Sequence, residues 1–140
     1  MLIEKINESN IDEVKDFLKR IPSLRDVEDN ILLEGILLRD EKIEGTISFE
    51  MIGNYALIRY FVYRKEIDKE YIINLLNSLL KNIKTKVCAI ITKEELMSIF
   101  LECGFKSVKN EYVFINEDYI FKSMKETTFF LVHGKTMINA

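Results

Sequence analysis

The hydrophobic pattern of the chain is strongest between residues 55 and 84. Tyr55–Tyr63 is apolar at nearly every position, which predicts a strand in the middle of a sheet with both faces covered. Residues 69–84 carry apolar side chains at steps of three and four, the spacing of an amphipathic helix. The predicted buried stripe of this helix consists of Ile72, Leu75, Leu76, Leu79, Leu80 and Ile83. A strand that leads into a helix through a short loop exposes backbone N–H groups at the helix start, where an anion can bind.

The N-terminal part of the chain predicts a strand followed by one or two helices. Residues 2–6 alternate apolar and charged, as in a strand with one face in water, and residues 11–20 follow the helical spacing. Asn10 and Glu13 have the spacing of a capping box at the start of that helix, and Pro22 ends it. Residues 23–30 give a weak signal for a short second helix.

The next stretch predicts a meander of three strands. Residues 31–38 and 43–52 are the first two, with residues 39–42 as the turn between them. Gly53 and Asn54 then supply a two-residue turn before the central strand.

That tight turn fixes which residues of the second hairpin face each other. Ile52 faces Tyr55 and Ser48 faces Arg59, which places Glu50 diagonally from Arg59 and within reach of its long side chain. A salt bridge between Glu50 and Arg59 is expected, because an unpaired buried charge is costly.

The C-terminal part predicts a strand, a helix and two strands. Lys86–Ile91 is expected to run parallel to the central strand, because a helix lies between them. Residues 93–103 are a predicted helix that ends at Gly104, with Thr92 and Glu95 placed as a capping box. Two further antiparallel strands are predicted at residues 111–115 and 127–132, and residues 116–126 between them fit no element. The whole order predicts a single α/β domain over residues 1–140, with a mixed sheet and helices on both faces.

Composition and charge exclude several classes of protein. The chain has 140 residues and a net charge of -3, which argues against binding of nucleic acid by charge. Cys88 and Cys103 have no neighbouring Cys or clustered His, so no metal site is predicted, and both are expected to be buried thiols. The sequence shows no signal segment and no apolar run of membrane-spanning length, so we expect a cytoplasmic protein without a membrane partner.

Three segments in this order resemble the GNAT family of acetyl-CoA-dependent N-acetyltransferases. They are KIEGTISF, similar to the family's third strand with its glycine, IRYFVY, similar to the strand that opens the acetyl-CoA site, and IFLECGFKSV, similar to its helix-Gly-Phe-strand segment. The resemblance implies the GNAT acyl-CoA N-acyltransferase fold, acetyl-CoA as cofactor and an amine as the second substrate. It places cofactor contacts on the backbone of Phe61, Val62 and Tyr63 and at the helix start, at Lys69, Glu70 and Tyr71.

The loop that holds the cofactor's pyrophosphate in that family has lost its motif in this chain. Ile67 stands at the family's Arg/Gln position, Glu70 at its first glycine and Ile72 at its second. Glycine is needed there because the backbone must approach the phosphates closely, so Glu70 and Ile72 are expected to block that approach. Asp68 is a natural N-cap for the helix, and its carboxylate would occupy N–H groups that a diphosphate needs.

Candidate catalytic residues are few. The family's proton-donating tyrosine aligns with Phe100, which has no proton to give, and a frequent asparagine aligns near Lys93. Glu50 is the candidate base that would take the proton of the amine, unless it serves only as the partner of Arg59. Substitutes for the missing acid could be Tyr112 or Tyr119, whereas His133, at a predicted strand end, is expected to be a plain surface residue rather than a catalyst.

Two functions and one alternative fold therefore stay open. The first function is an N-acetyltransferase with a diverged cofactor loop. The second is a non-catalytic module that keeps the fold and binds a protein or another ligand, with a homodimer face as one form of it. An unrelated mixed α/β domain with the same element order is the alternative fold.

Overall fold

A computed structural model describes residues 1–91, 93–108 and 129–133 of the chain. The helices and strands follow one another in this order: β1 (Leu2–Lys5), α1 (Ile11–Leu18), α2 (Asp29–Leu32), β2 (Ile36–Asp40), β3 (Lys42–Ile52), β4 (Tyr55–Tyr63), α3 (Lys69–Lys81), β5 (Lys86–Ile91), α4 (Met97–Glu102), β6 (Phe105–Val108) and β7 (Phe129–His133). Single 3-10 turns precede α2, at Pro22–Leu24, and α4, at Glu94–Leu96.

The strands form one mixed sheet in the order β1-β2-β3-β4-β5-β7-β6. β4 and β5 are parallel, with Tyr55 opposite Lys86, whereas β7 runs antiparallel to both β5 and β6. The predicted mixed sheet with helices and the parallel β4–β5 pair are thereby confirmed.

The chain divides into two compact units, Met1–Glu50 with Arg59–Lys81, and Met51–Ile58 with Asn82–Ala140. The first unit has a core of Ile6, Val14, Leu18, Leu32, Leu37 and Ile43. In this unit the predicted stripe of α3 is buried as expected. In the second unit the Phe100 and Phe105 rings meet edge to face, with their centroids 5.1 Å apart. The single-domain organisation stays a prediction.

The strand predicted at residues 31–38 is wrong in its first half. Ile31 and Leu32 belong to α2, and the strand begins only at Ile36, after Gly35. A Cβ on Gly35 would lie 2.4 Å from the carbonyl oxygen of Ile47, so the chain turns from helix to strand at the residue without a side chain. The predicted four-residue turn also shrinks, because Asp40 pairs with Lys42 and only Glu41, at φ 48°, is left to turn.

The capping box predicted for α1 is also wrong. Asn10 makes no side-chain capping bond, and its Oδ1 accepts the backbone N–H of Asn7 at 2.8 Å. Glu13 instead binds Arg39, with both carboxylate oxygens 2.8 Å from the guanidinium. A salt bridge to β2 therefore replaces the bond that Glu13 would have made within the first turn.

The ends of α3 and α4 are close to the predicted ones, whereas no strand was predicted at β6. α3 ends at Lys81, three residues before the predicted 84, although Ile83 is still buried. α4 ends before Gly104, whose φ of 95° is the left-handed conformation expected at a helix C-terminus. Thr92, the strand predicted at 111–115 and the unassigned residues 116–126 lie outside the described residues, as does any capping contact of the Glu95 side chain.

Candidate functional site

The most unusual backbone of the first unit is a bulge in β4. The predicted register would place Glu44 opposite Tyr63, but the backbone N–H of Arg64 donates to the carbonyl of Glu44 at 3.1 Å. β4 therefore contains one residue more than the facing part of β3. Tyr60 has φ 51°, a left-handed conformation that is rare for an aromatic residue and marks the position of the extra residue. The part of the hairpin next to the turn keeps the predicted register. There the Ser48 hydroxyl donates to the carbonyl of Arg59 at 3.2 Å, as expected for two residues that face each other.

The bulge places Arg59 and Tyr60 on the same side of β4. Successive residues of a regular strand point to opposite faces, yet here the guanidinium carbon of Arg59 lies 5.0 Å from the centroid of the Tyr60 ring. Arg59 Nη1 also donates to Glu50 Oε1 at 2.8 Å. The predicted salt bridge is confirmed, with the two side chains 26% and 23% exposed. The role of Glu50 as a base stays a prediction.

Tyr60 is a site residue that the sequence analysis missed. Its hydroxyl accepts the backbone N–H of Glu28 at 3.1 Å, and its carbonyl accepts the hydroxyl of Thr46 at 3.0 Å. Tyrosine is an ordinary strand residue, so nothing in the local pattern of YALIRYFVY signals a left-handed backbone at this position.

The predicted cofactor strand lies directly after the bulge. Phe61, Val62 and Tyr63 are half-buried, as are Arg59 and Tyr60, so the expectation that both faces of β4 are covered holds only for its first half. The Phe61 and Tyr63 rings are 5.5 Å apart between centroids. On β3, a Cβ at Gly45 would stand 3.2 Å from the carbonyl oxygen of Val62 and 3.3 Å from Cβ of Tyr63, so the glycine permits close contact there.

The start of α3 carries exposed charges of both signs. Three exposed carboxylates lie beside two exposed lysines: Glu66, Asp68 and Glu70 beside Lys65 and Lys69. Asp68 accepts the backbone N–H of Tyr71 through its carbonyl at 3.0 Å, while capping by its carboxylate stays a prediction. The positive charge of Arg64 is shared with Glu44, because Arg64 Nε lies 2.9 Å from Glu44 Oε2.

Ile72 is not part of that exposed surface. Its side chain is 2% exposed and belongs to the core stripe of α3. Of the two residues expected to block a phosphate, Glu70 is thus exposed and Ile72 is buried, and the blocking itself stays a prediction.

Two of the candidates in the second unit make internal contacts. Phe100 is buried against Phe105, and His133 is half-buried, with Nε2 2.9 Å from the carbonyl oxygen of Cys103. The expectation of a plain surface histidine was therefore wrong. Lys93 is exposed, and Tyr112 and Tyr119 lie outside the described residues.

Both cysteines are buried thiols outside any disulfide, as predicted. Burial raises the pKa of the Cys88 thiol to about 12, and burial together with the nearby Glu102 raises that of Cys103 to about 11. Both sulfurs are therefore protonated at neutral pH and are poor nucleophiles.

Two classes of site are missing from the described residues. Within residues 1–91, 93–108 and 129–133, no group of three His, Cys, Asp or Glu side chains could hold a metal ion. Over the same part of the chain, no helix is long and apolar enough to cross a membrane.

Comparison with solved structures places this fold among the acyl-CoA N-acyltransferases. The chain superposes on N-acetylglutamate synthase from Neisseria gonorrhoeae, solved with coenzyme A and N-acetyl-glutamate, with a TM-score of 0.71 and 15% identity. The match covers 94% of this chain and 34% of that one, so the chain spans about a third of that enzyme's length.

Two matches that cover nearly the whole of the other chain agree with this result. An acetyltransferase from Streptococcus agalactiae gives a TM-score of 0.62 at 16% identity over 94% of this chain and 96% of its own. An acyl-CoA N-acyltransferase from Pseudomonas aeruginosa gives 0.62 at 10% identity over 94% and 97%. No family model and no curated protein matches the sequence. The predicted GNAT-type fold is thus confirmed.

Proposed function

We propose that this chain is an acetyl-CoA-dependent N-acetyltransferase that acts on an unidentified amine. The observation that carries the proposal is the fold match over 94% of the chain to a synthase solved with coenzyme A. The bulge in β4 supports it, because a bulge interrupts regular pairing and redirects backbone groups at functional sites.

The reaction assigns a role to each part of the site. The backbone of Phe61, Val62 and Tyr63 would align the thioester, and the amine nitrogen would attack its carbonyl carbon as the C–S bond breaks. Glu50 would accept the proton of the amine while it holds Arg59. The departing thiolate would take its proton from solvent, because Phe100 has none to give.

The cofactor is expected to bind weakly. The strand half of the site uses backbone groups, which are present whatever the side chains are. It fits the acyl and pantetheine portion of acetyl-CoA. The helix half presents the exposed carboxylates of Asp68 and Glu70, which repel a diphosphate. We therefore expect acetyl-CoA to be a substrate of low affinity, held mainly by β4.

Two assays on the full chain test this proposal. A ligand that binds only the folded state raises its melting temperature, so CoA at millimolar concentration should do so. Acetyl-CoA mixed with a panel of amines should release free thiol in proportion to enzyme. No melting shift with CoA and no thiol release would contradict the proposal.

A second function is favoured by the same exposed carboxylates. A non-catalytic module that has lost the cofactor would be free to carry Glu66, Asp68 and Glu70 at the helix start. It predicts an intact fold with neither CoA protection nor thiol release, and a homodimer in its dimeric form, which sizing chromatography would detect. The cytoplasmic location and the absence of a nucleic-acid partner stay predictions under either function.

A further inference from the structure

We propose that Tyr60 is a positioning residue, which holds the Arg59 guanidinium in place and through it orients Glu50. The inference rests on the proposed function for its catalytic meaning, since it concerns how the candidate base is held. Its structural part concerns the order of one side chain and stands independently of any turnover.

The backbone of Tyr60 has a strained, left-handed conformation. Among the described residues, the non-glycine positions with positive φ are Glu41, which turns a tight hairpin, and Tyr60, which lies within a strand. A left-handed aromatic residue persists only where surrounding contacts over-determine it, and such strain is concentrated at functional positions.

A set of contacts fixes this residue. The Tyr60 carbonyl accepts from Thr46 at 3.0 Å, and its hydroxyl accepts from the Glu28 backbone N–H at 3.1 Å. Its ring packs against the core cluster of the first unit, which is lined by Val27 and Phe17 among others. The backbone, the ring and the hydroxyl of Tyr60 are therefore each fixed by a contact.

The fixed Tyr60 ring supports the guanidinium of Arg59. Arg59 lies over this ring, 5.0 Å from its centroid, and the same guanidinium donates to Glu50 at 2.8 Å. A planar guanidinium stacks well on an aromatic face, and the stacking restricts its rotation. The chain of contacts thus runs from the Glu28 backbone through the Tyr60 ring and Arg59 to Glu50.

Two variants separate the ring from its hydroxyl. Tyr60→Phe keeps the ring and removes the hydroxyl, which accepts the Glu28 backbone N–H at 3.1 Å and Arg59 Nη2 at the longer distance of 3.5 Å. Tyr60→Asn removes the ring but retains the bulge, because asparagine adopts the left-handed region more readily than most residues. Phe17→Ala is the matched control, since it deletes an aromatic ring that packs against the same cluster from α1.

The direct readout is the side-chain N–H resonance of Arg59, assigned with Arg59→Lys. We expect a resolved, slowly exchanging Nε–H signal in the wild type, in Tyr60→Phe and in Phe17→Ala. In Tyr60→Asn the exchange should be at least fivefold faster. A folded Tyr60→Asn protein with the wild-type signal would overturn the proposal. If that variant does not fold, Tyr60→Gly, which adopts the left-handed backbone without strain, gives the same test.

Kinetics supply the second readout. Tyr60→Asn should lower kcat at least tenfold while KM for acetyl-CoA stays within threefold, and Tyr60→Phe should restore kcat to within threefold of the wild type. Equal kcat in all folded variants would contradict the proposed link to Glu50. A wild type without turnover contradicts the acetyltransferase proposal instead, and the resonance of Arg59 still decides whether Tyr60 positions it.

Discussion

The two halves of the candidate site place different demands on the sequence. On β4 the groups expected to meet the cofactor belong to the backbone, so Phe61, Val62 and Tyr63 can serve with unusual side chains. At the start of α3 the backbone must be bare, and there Glu70 and Asp68 are exposed instead. A strand site therefore tolerates divergence that a phosphate loop does not, because only the loop needs glycine for close approach.

The largest expected effect is on the strand half, at Glu50. Glu50→Gln keeps the shape of the side chain but cannot accept a proton, so kcat should fall about 10²- to 10⁴-fold, the usual contribution of a general base. Steady-state thiol release measures it.

Glu44→Gln is the matched control for Glu50→Gln. Glu44 lies on the same strand and also forms an arginine pair, with Oε2 2.9 Å from Arg64 Nε. Its loss should change kcat less than about fivefold, a small effect compared with loss of a base. Equal losses in both variants would mean that Glu50 acts only as an ion-pair partner.

The next effect sharpens the helix half. Asp68→Asn combined with Glu70→Gln removes two carboxylates from the start of α3, and the affinity for CoA should rise by about 10- to 100-fold, as Coulomb repulsion near the surface implies. Calorimetric titration at low salt measures it. Asp12→Asn combined with Asp16→Asn, on exposed positions of α1, changes the net charge equally and should leave the affinity unchanged. Equal gains from both pairs would show a general charge effect.

A smaller effect tests how closely β3 approaches β4. Gly45→Ala would place a methyl group 3.2 Å from the carbonyl oxygen of Val62, so β3 and β4 must separate slightly. Overpacking of this kind costs about 1–3 kcal/mol of the free energy of unfolding, to be measured in urea. Unchanged stability would show that the backbone moves freely at this point.

An effect of similar size concerns the missing acid. Phe100→Tyr would install the tyrosine of the resembling family, but Phe100 is 2% exposed and packs against Phe105. A buried hydroxyl without a partner costs about 1–3 kcal/mol, so thermal unfolding should occur earlier and kcat should not improve. A rise in kcat would place this position in the site after all.

Elements set by hydrophobic periodicity were predicted correctly, whereas features set by tertiary contacts were not. The stripe of α3 and the Glu50–Arg59 pair follow from spacing alone. Gly35 and the true start of β2 depend on crowding by Ile47 and Ser48, which no local pattern reveals.

The bulge shows the same limit within the site. The hydrogen bond from Arg64 to Glu44 shows that the register of β4 is shifted by one residue. The residue types next to Tyr60 do not indicate its left-handed backbone. Burial of Ile72 was open to prediction, because that residue already belonged to the proposed core stripe of α3.

We propose that β4 still holds acetyl-CoA although the phosphate loop has diverged. A crystal of the full chain soaked in about 10 mM CoA, a concentration well above the usual range of KM values, tests this claim directly. We expect density for the pantetheine arm along Phe61 to Tyr63, with the diphosphate at the start of α3. An ordered β4 with no density beside it at that concentration would contradict the claim.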